Sequence, residues 1–181
     1  IEKNYYIPDL KRKVEAFNNS CIPCIMANKK EGKAEGFLHS LPKTDLPLHT
    51  YYVDHLGPLE STNKNYNHIF AVIDGFTKFV WLYPTKSTTS REVITKLELQ
   101  KQIFGNPMQI ISDRETAFSS EEFGNYCKEE NIKHVMITTG LPRTNDQIEK
   151  LNRSIIPILT KLSLEDPTKW YQHVLKLQRI L

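Results

Sequence analysis

From Leu48 to Leu162, short apolar runs alternate with segments of helical period, and that order constrains the fold more than any other feature of the chain. Leu48–Leu56 is rich in aromatic residues and ends at Gly57-Pro58, a turn signal. His68–Asp74 holds the apolar run Ile69–Ile73, and a turn at Gly75 and Thr77 leads into Lys78–Tyr83, which Pro84 is expected to stop. These three strands predict an antiparallel meander. Thr89 with Glu92 reads as a capping box for a helix over 90–103, closed by Gly105 and Pro107. Met108–Ser112 reads as a short buried strand, Ser119 with Glu122 as the capping box of a helix to about Glu130, and Ile132–Ile137 as a fifth strand. A polar loop over 138–144, with Gly140 and Pro142, leads into a long helix from Asp146 to Leu162. This order predicts an α/β domain, a mixed sheet with helices on both faces.

The segments outside that pattern differ in composition. Residues 1–33 are basic and polar and carry Cys21-Ile-Pro-Cys24, and residues 34–47, with Gly36, Pro42 and Pro47, read as a linker to a domain over 48–181. Three cysteines are too few for a disulfide scaffold and suit a reducing compartment. The longest apolar run has five residues, far from the ~20 that a membrane span needs, so no membrane partner is expected. The chain starts at Ile1, and Trp170, Val174, Leu177 and Leu181 keep a helical spacing up to its last residue. A piece of a longer protein, ending within an amphipathic helix, is the expectation. The net charge of +3 is mild, but its distribution is not. Residues 1–33 carry seven basic against four acidic groups, 34–142 ten against thirteen, and 143–181 seven against four. An acid-rich middle bracketed by basic segments fits a cation site beside a polyanion.

Three acids stand where solubility does not need them. Asp54 interrupts the aromatic strand, Asp113 directly follows the apolar run Ile110-Ile111, and Glu149 lies in the first turn of the long helix. Each has an ordinary explanation alone: an edge-strand residue, a turn residue, a helix acid favoured by the macrodipole. Together they have another. Carboxylates that converge near strand ends repel one another, and a hard divalent cation with oxygen ligands relieves the repulsion.

Fifty-eight residues separate Asp54 from Asp113, and 35 separate Asp113 from Glu149. The spacing, with Val53-Asp54-His55-Leu56-Gly57-Pro58, Ile111-Ser112-Asp113-Arg114 and Gln147-Ile148-Glu149-Lys150-Leu151-Asn152-Arg153, resembles the acidic triad of retroviral and retrotransposon integrases, in particular the gypsy-type long-terminal-repeat elements. The resemblance covers nearly the whole chain. It implies a ribonuclease H-like fold with a five-stranded mixed sheet flanked by helices. It also implies a polynucleotidyl transferase that processes donor DNA 3′ ends and joins them to target DNA, in the nucleus and as a homo-oligomer. Asp54, Asp113 and Glu149 would be both catalytic residues and ligands of two Mg2+ or Mn2+ ions. Arg143, Lys150 and Arg153 would contact the DNA backbone, although a solvated helix face explains them as well. Cys21 and Cys24 match the second half of a His-His-Cys-Cys zinc site, with no histidine before His39 to complete it. Residues 1–33 are thus expected to be the remnant of a truncated zinc-binding domain.

Two positions depart from the family pattern. Glu115 and Asp146 stand where family members usually carry glycine, and Glu115 adds a further acid beside the expected cation site. Lowered turnover is the expectation, and the alternative reading is a degenerate or domesticated copy that binds DNA without catalysis. A ribonuclease H-like nuclease acting on RNA–DNA hybrids is a weaker third reading, disfavoured by the cysteine pair. His55 and His68 are given no role. Cys127, Tyr51, Tyr52, Phe79, Trp81 and Trp170 are assigned to the core.

Overall fold

The computed structural model describes residues 8–21, 46–137 and 146–181; within these, the side chains of 18, 19 and 146–151 are not described. Its elements are α1 (Leu10–Ser20), β1 (Thr50–Leu56), β2 (His68–Asp74), β3 (Val80–Thr85), α2 (Ser90–Phe104), β4 (Gln109–Ser112), α3 (Thr116–Ser119), α4 (Glu121–Glu129), β5 (Lys133–Met136), α5 (Asp146–Leu162), a 3-10 stretch (Pro167–His173) and α6 (Val174–Gln178). The five strands form one sheet in the order β3-β2-β1-β4-β5. The β1–β2 and β2–β3 pairs are antiparallel, whereas β1–β4 and β4–β5 are parallel. The expected meander and mixed sheet are both present. The predicted loop over 138–144 and most of the 34–47 linker lie outside the described residues.

Strand alternation divides the core into two layers. Tyr51 and Val53 of β1 face Val93 and Leu97 of α2 and Phe123 of α4. Tyr52 and Leu56 face Ile155 and Leu159 of α5, with Trp170, Val174 and Leu177 behind them. β1 is thereby covered on both sides, and Asp54 shares the parity of Tyr52 and Leu56. That places it on the α5 side of the central strand.

Local differences from the sequence expectations have identifiable causes. Pro84 does not stop β3 but pairs with Ile69 inside it. β3 is an edge strand, and an edge strand tolerates a residue without an N–H. Part of that edge is covered, because Gln178 Oε1 of α6 accepts from Leu82 N at 3.1 Å. Neither expected capping box forms as such. Thr89 makes no side-chain cap, and the Glu92 carboxylate instead accepts from the N–H groups of Lys86 and Ser87 at 2.9 and 2.8 Å. Ser120, not Ser119, caps α4 by accepting from Phe123 N at 3.2 Å. Ser119 closes the short α3, and Glu122 bonds to Ser90 of α2. The turn after β2 does not depend on Gly75. Asp74 accepts from Leu48 N and Thr77 N, and Lys78 takes the left-handed backbone at φ 64°. Phe79 is 49% exposed and is not a core residue. At the far end, Pro167 opens a 3-10 stretch in place of a continuous α-helix. Trp170, Val174 and Leu177 are buried as expected, whereas Leu181 is exposed.

Candidate metal centre

Parallel pairing of β1 with β4 puts Tyr52 opposite Ile111. Asp54 lies two residues beyond the first, and Asp113 lies two residues beyond the second, just past the end of β4. Two carboxylates thus meet at the carboxyl ends of neighbouring parallel strands, where ligand sites of α/β sheets collect. Asp113 is followed by a tight turn in which its Oδ1 accepts from Glu115 N at 2.9 Å. That turn brings the Glu115 carboxylate back to the aspartates. One ligand oxygen each from Asp54, Asp113 and Glu115 lies within 4.8 Å of the other two.

Asp54 is nine-tenths buried. Its Oδ1 accepts from His55 N at 2.8 Å, and its Oδ2 from the Asn152 side-chain amide at 2.9 Å. Burial pushes its carboxyl up to about 6, and the neighbouring Asp113 charge adds to the rise. The Asn152 and His55 hydrogen bonds pull the other way without winning. The Asp113 carboxyl is raised too, first by burial and then, against the Glu115 N–H bond, by the Glu115 charge. Protein groups therefore under-compensate the negative charge in this cleft. An all-oxygen donor set with uncompensated charge suits a hard divalent cation such as Mg2+ or Mn2+ and offers nothing to a soft one.

The expected site residues fare differently. Asp54 and Asp113 are brought together. Glu149 stands on α5 one helical turn before Asn152, and its side chain, like that of Lys150, is not described. Arg153 follows Asn152 on α5 and is exposed. Arg143 lies outside the described residues. Cys21 sits just past the end of α1, but Cys24 is outside the described residues, so their pairing is not seen. Cys127 is buried in the α4 layer, which lifts its thiol to about 11, as suits a core residue.

Two contributors escaped the sequence reading. Asn152 has no assigned role in the integrase-like segment that contains it, although three residues after a candidate acid it shares that acid's helix face. His55 was set aside for lack of ligand spacing, yet its Nδ1 lies 2.9 Å from Glu115 Oε2. Its ring is held between Phe118 and Phe70, at centroid distances of 5.2 and 5.4 Å. No local sequence signal links positions 55 and 115.

The family described as Integrase core domain matches residues 46–142, more than half of the chain. The chain belongs to the integrase core domain family. A Pro-Pol polyprotein of feline foamy virus is 34% identical over 184 residues, covering 100% of this chain and 15% of that protein. The transposon Tf2-3 polyprotein of Schizosaccharomyces pombe is 24% identical over 94% of this chain and 13% of its own length. This integrase core thus spans about 15% of the curated relatives it matches. Among solved structures, the HTLV-2 integrase catalytic core domain in complex with magnesium is similar with a TM-score of 0.61 and 26% identity, covering 76% of this chain and 86% of that one. A simian T-cell lymphotropic virus intasome shares the fold with a TM-score of 0.64 at 24% identity, over 91% of this chain and 58% of that one. The expected ribonuclease H-like architecture and the retroviral-type integrase family both stand.

Proposed function

We propose that this chain is the catalytic core of a retrotransposon integrase and acts as a metal-dependent polynucleotidyl transferase on DNA. The observation that carries the reading is the meeting of Asp54 and Asp113 at the carboxyl ends of β1 and β4, both carboxyls raised by burial first and by a neighbouring acid's charge second. Water attacks a phosphodiester near the donor end, which frees a 3′ hydroxyl. That hydroxyl then attacks a target phosphodiester, and the target's own 3′ oxygen leaves. Two Mg2+ or Mn2+ ions, when bound, lower the charge on the attacking and leaving oxygens. Asp54, Asp113 and Glu149 hold them, Asn152 fixes the orientation of Asp54, and Arg143, Lys150 and Arg153 pair with DNA phosphates. The magnesium complex and the dimeric and trimeric forms of the HTLV-2 core support a magnesium site and a homo-oligomer here as well. In the same reading, residues 1–33 are the later part of a zinc-binding domain with Cys21 and Cys24 as ligands, 34–47 is a linker, and the site of action is the nucleus.

A second reading, a DNA-binding module without catalysis, is favoured by Glu115, which crowds an extra acid into the cluster. Joining assays with Mg2+ and short duplexes bearing recessed 3′ ends separate the two. The first reading expects joined products that Asp113→Asn abolishes, with linear DNA ends preferred over RNA–DNA hybrids. Retained DNA binding without any joining establishes the second.

A further inference from the structure

Glu115 is the third acid that the structure brings together with Asp54 and Asp113. Three contacts locate that side chain. The Glu115 N–H is bound to Asp113 Oδ1 at 2.9 Å, which fixes the backbone against the second aspartate. Its Oε2 is bound to His55 Nδ1 at 2.9 Å. A carboxylate oxygen only accepts, so Nδ1 is the protonated nitrogen of that ring. The ring itself cannot turn away. The His55 side chain is 2% exposed, lies nearly parallel to Phe118 with an interplanar angle of 19°, and leans on Phe70. Its Nε2 is buried with no hydrogen-bond partner among the described residues, so the ring's one side-chain hydrogen bond there is to Glu115. The Glu115 side chain, in contrast, is 38% exposed and places one ligand oxygen within 4.8 Å of those of Asp54 and Asp113.

We propose that Glu115 is an additional carboxylate ligand of the divalent-cation site and that His55 is the positioning residue that orients it. This rests on the integrase reading above and deepens it. A rigid, buried donor behind one carboxylate oxygen performs the service that outer-shell partners give to metal ligands: it fixes the rotamer before the ion arrives. The extra acid is then not merely a repulsive neighbour of the site. It raises the cation affinity of the Asp54–Asp113 pair.

Mn2+ titration calorimetry on the whole chain tests this without reference to catalysis. Glu115→Gln and Glu115→Gly are expected to weaken Mn2+ binding at least about tenfold. His55→Phe, which keeps the aromatic stack and removes the Nδ1 donor, is expected to weaken it by about tenfold, the lower end for lost outer-shell contacts and no more than the loss of Glu115 itself. Circular dichroism spectra of the Glu115 variants should match that of the unsubstituted chain. Wild-type affinity in both Glu115 variants, alongside loss of binding in Asp113→Asn, overturns the ligand role and leaves the integrase reading standing. Wild-type affinity in Asp113→Asn as well overturns both. Unchanged affinity in His55→Phe overturns the positioning role of the histidine.

Discussion

The side-chain amide of Asn152 donates to Asp54 Oδ2 across 2.9 Å, and this bond joins α5 to the central strand at the candidate metal centre. It aligns one carboxylate oxygen and partly offsets the burial that raises the Asp54 carboxyl. Asn152→Ala should therefore act on the site more than on the fold. The expected loss of stability is about 1.5–3 kcal/mol, that of a hydrogen bond to a carboxylate. The expected loss of Mn2+ affinity is about 10–100-fold, as for other outer-shell partners. Urea denaturation with chelator present measures the first quantity and titration calorimetry the second.

The raised Asp54 carboxyl makes a pH prediction whose sign is fixed. Its ordinary value is 3.8 and its folded value about 6, so the folded state holds this proton more tightly than the unfolded state does. The carboxyl therefore favours folding below pH 3.8, and that contribution is lost as pH rises through 6. The loss amounts to on the order of 2–3 kcal/mol at most. Asp113 contributes in the same direction. In the presence of a chelator, the stability of the unsubstituted chain minus that of Asp54→Asn should fall between pH 4 and pH 7.5. A difference that rises over this interval contradicts the burial argument. Saturating Mn2+ should restore stability chiefly at the upper end of the range, where the carboxylate is ionised.

Legibility in the sequence followed the distance over which each feature is determined. β2 and α5 were bounded correctly because a continuous apolar run or a helical period, with breakers at its ends, is a local property. Asp54 and Asp113 were legible as a pair because acids next to apolar strands conflict with burial. His55 with Glu115 was not, since the partners are sixty positions apart and only the folded turn after Asp113 makes them neighbours. Pro84 misled because a strand's place at the sheet edge is a tertiary fact. Ser119 misled because adjacent serines cap equally well in isolation, and the short α3 decides between them. α1 went unassigned, and its apolar residues Val14 and Phe17 are 48% and 67% exposed.

Asp74 supports the site from a distance by tying the chain before β1 to the β2–β3 turn. Fully buried, it accepts from Leu48 N at 2.9 Å, Thr77 N at 2.8 Å and Thr77 Oγ1 at 2.5 Å. Asp74→Ala leaves those donors without their acceptor and is expected to cost about 2–4 kcal/mol. Asp74→Asn keeps one acceptor oxygen and should cost about half as much. Equilibrium unfolding of the two variants gives this ordering directly, and equal stability of all three chains contradicts it.

Gly57 and Gly124 make opposite predictions for the same substitution. Gly57 follows β1 at φ +140°, and a Cβ there would stand 2.7 Å from His68 Cδ2 and 2.9 Å from Asn67 O. The backbone angle alone disfavours any other residue, and the backbone oxygen of Asn67 has little room to retreat. Gly57→Ala should destabilise by about 2–4 kcal/mol, lowering the melting temperature by about 4–16 °C for a domain of this size. Gly124 lies inside α4 at an ordinary helical angle, with no atom within 4 Å of an added Cβ. Gly124→Ala should stabilise by about 0.5–1 kcal/mol, because alanine restricts the unfolded chain and favours the helix. Melting curves of the two single variants measured side by side are the test, and shifts of the same sign would contradict the local backbone described for these two glycines.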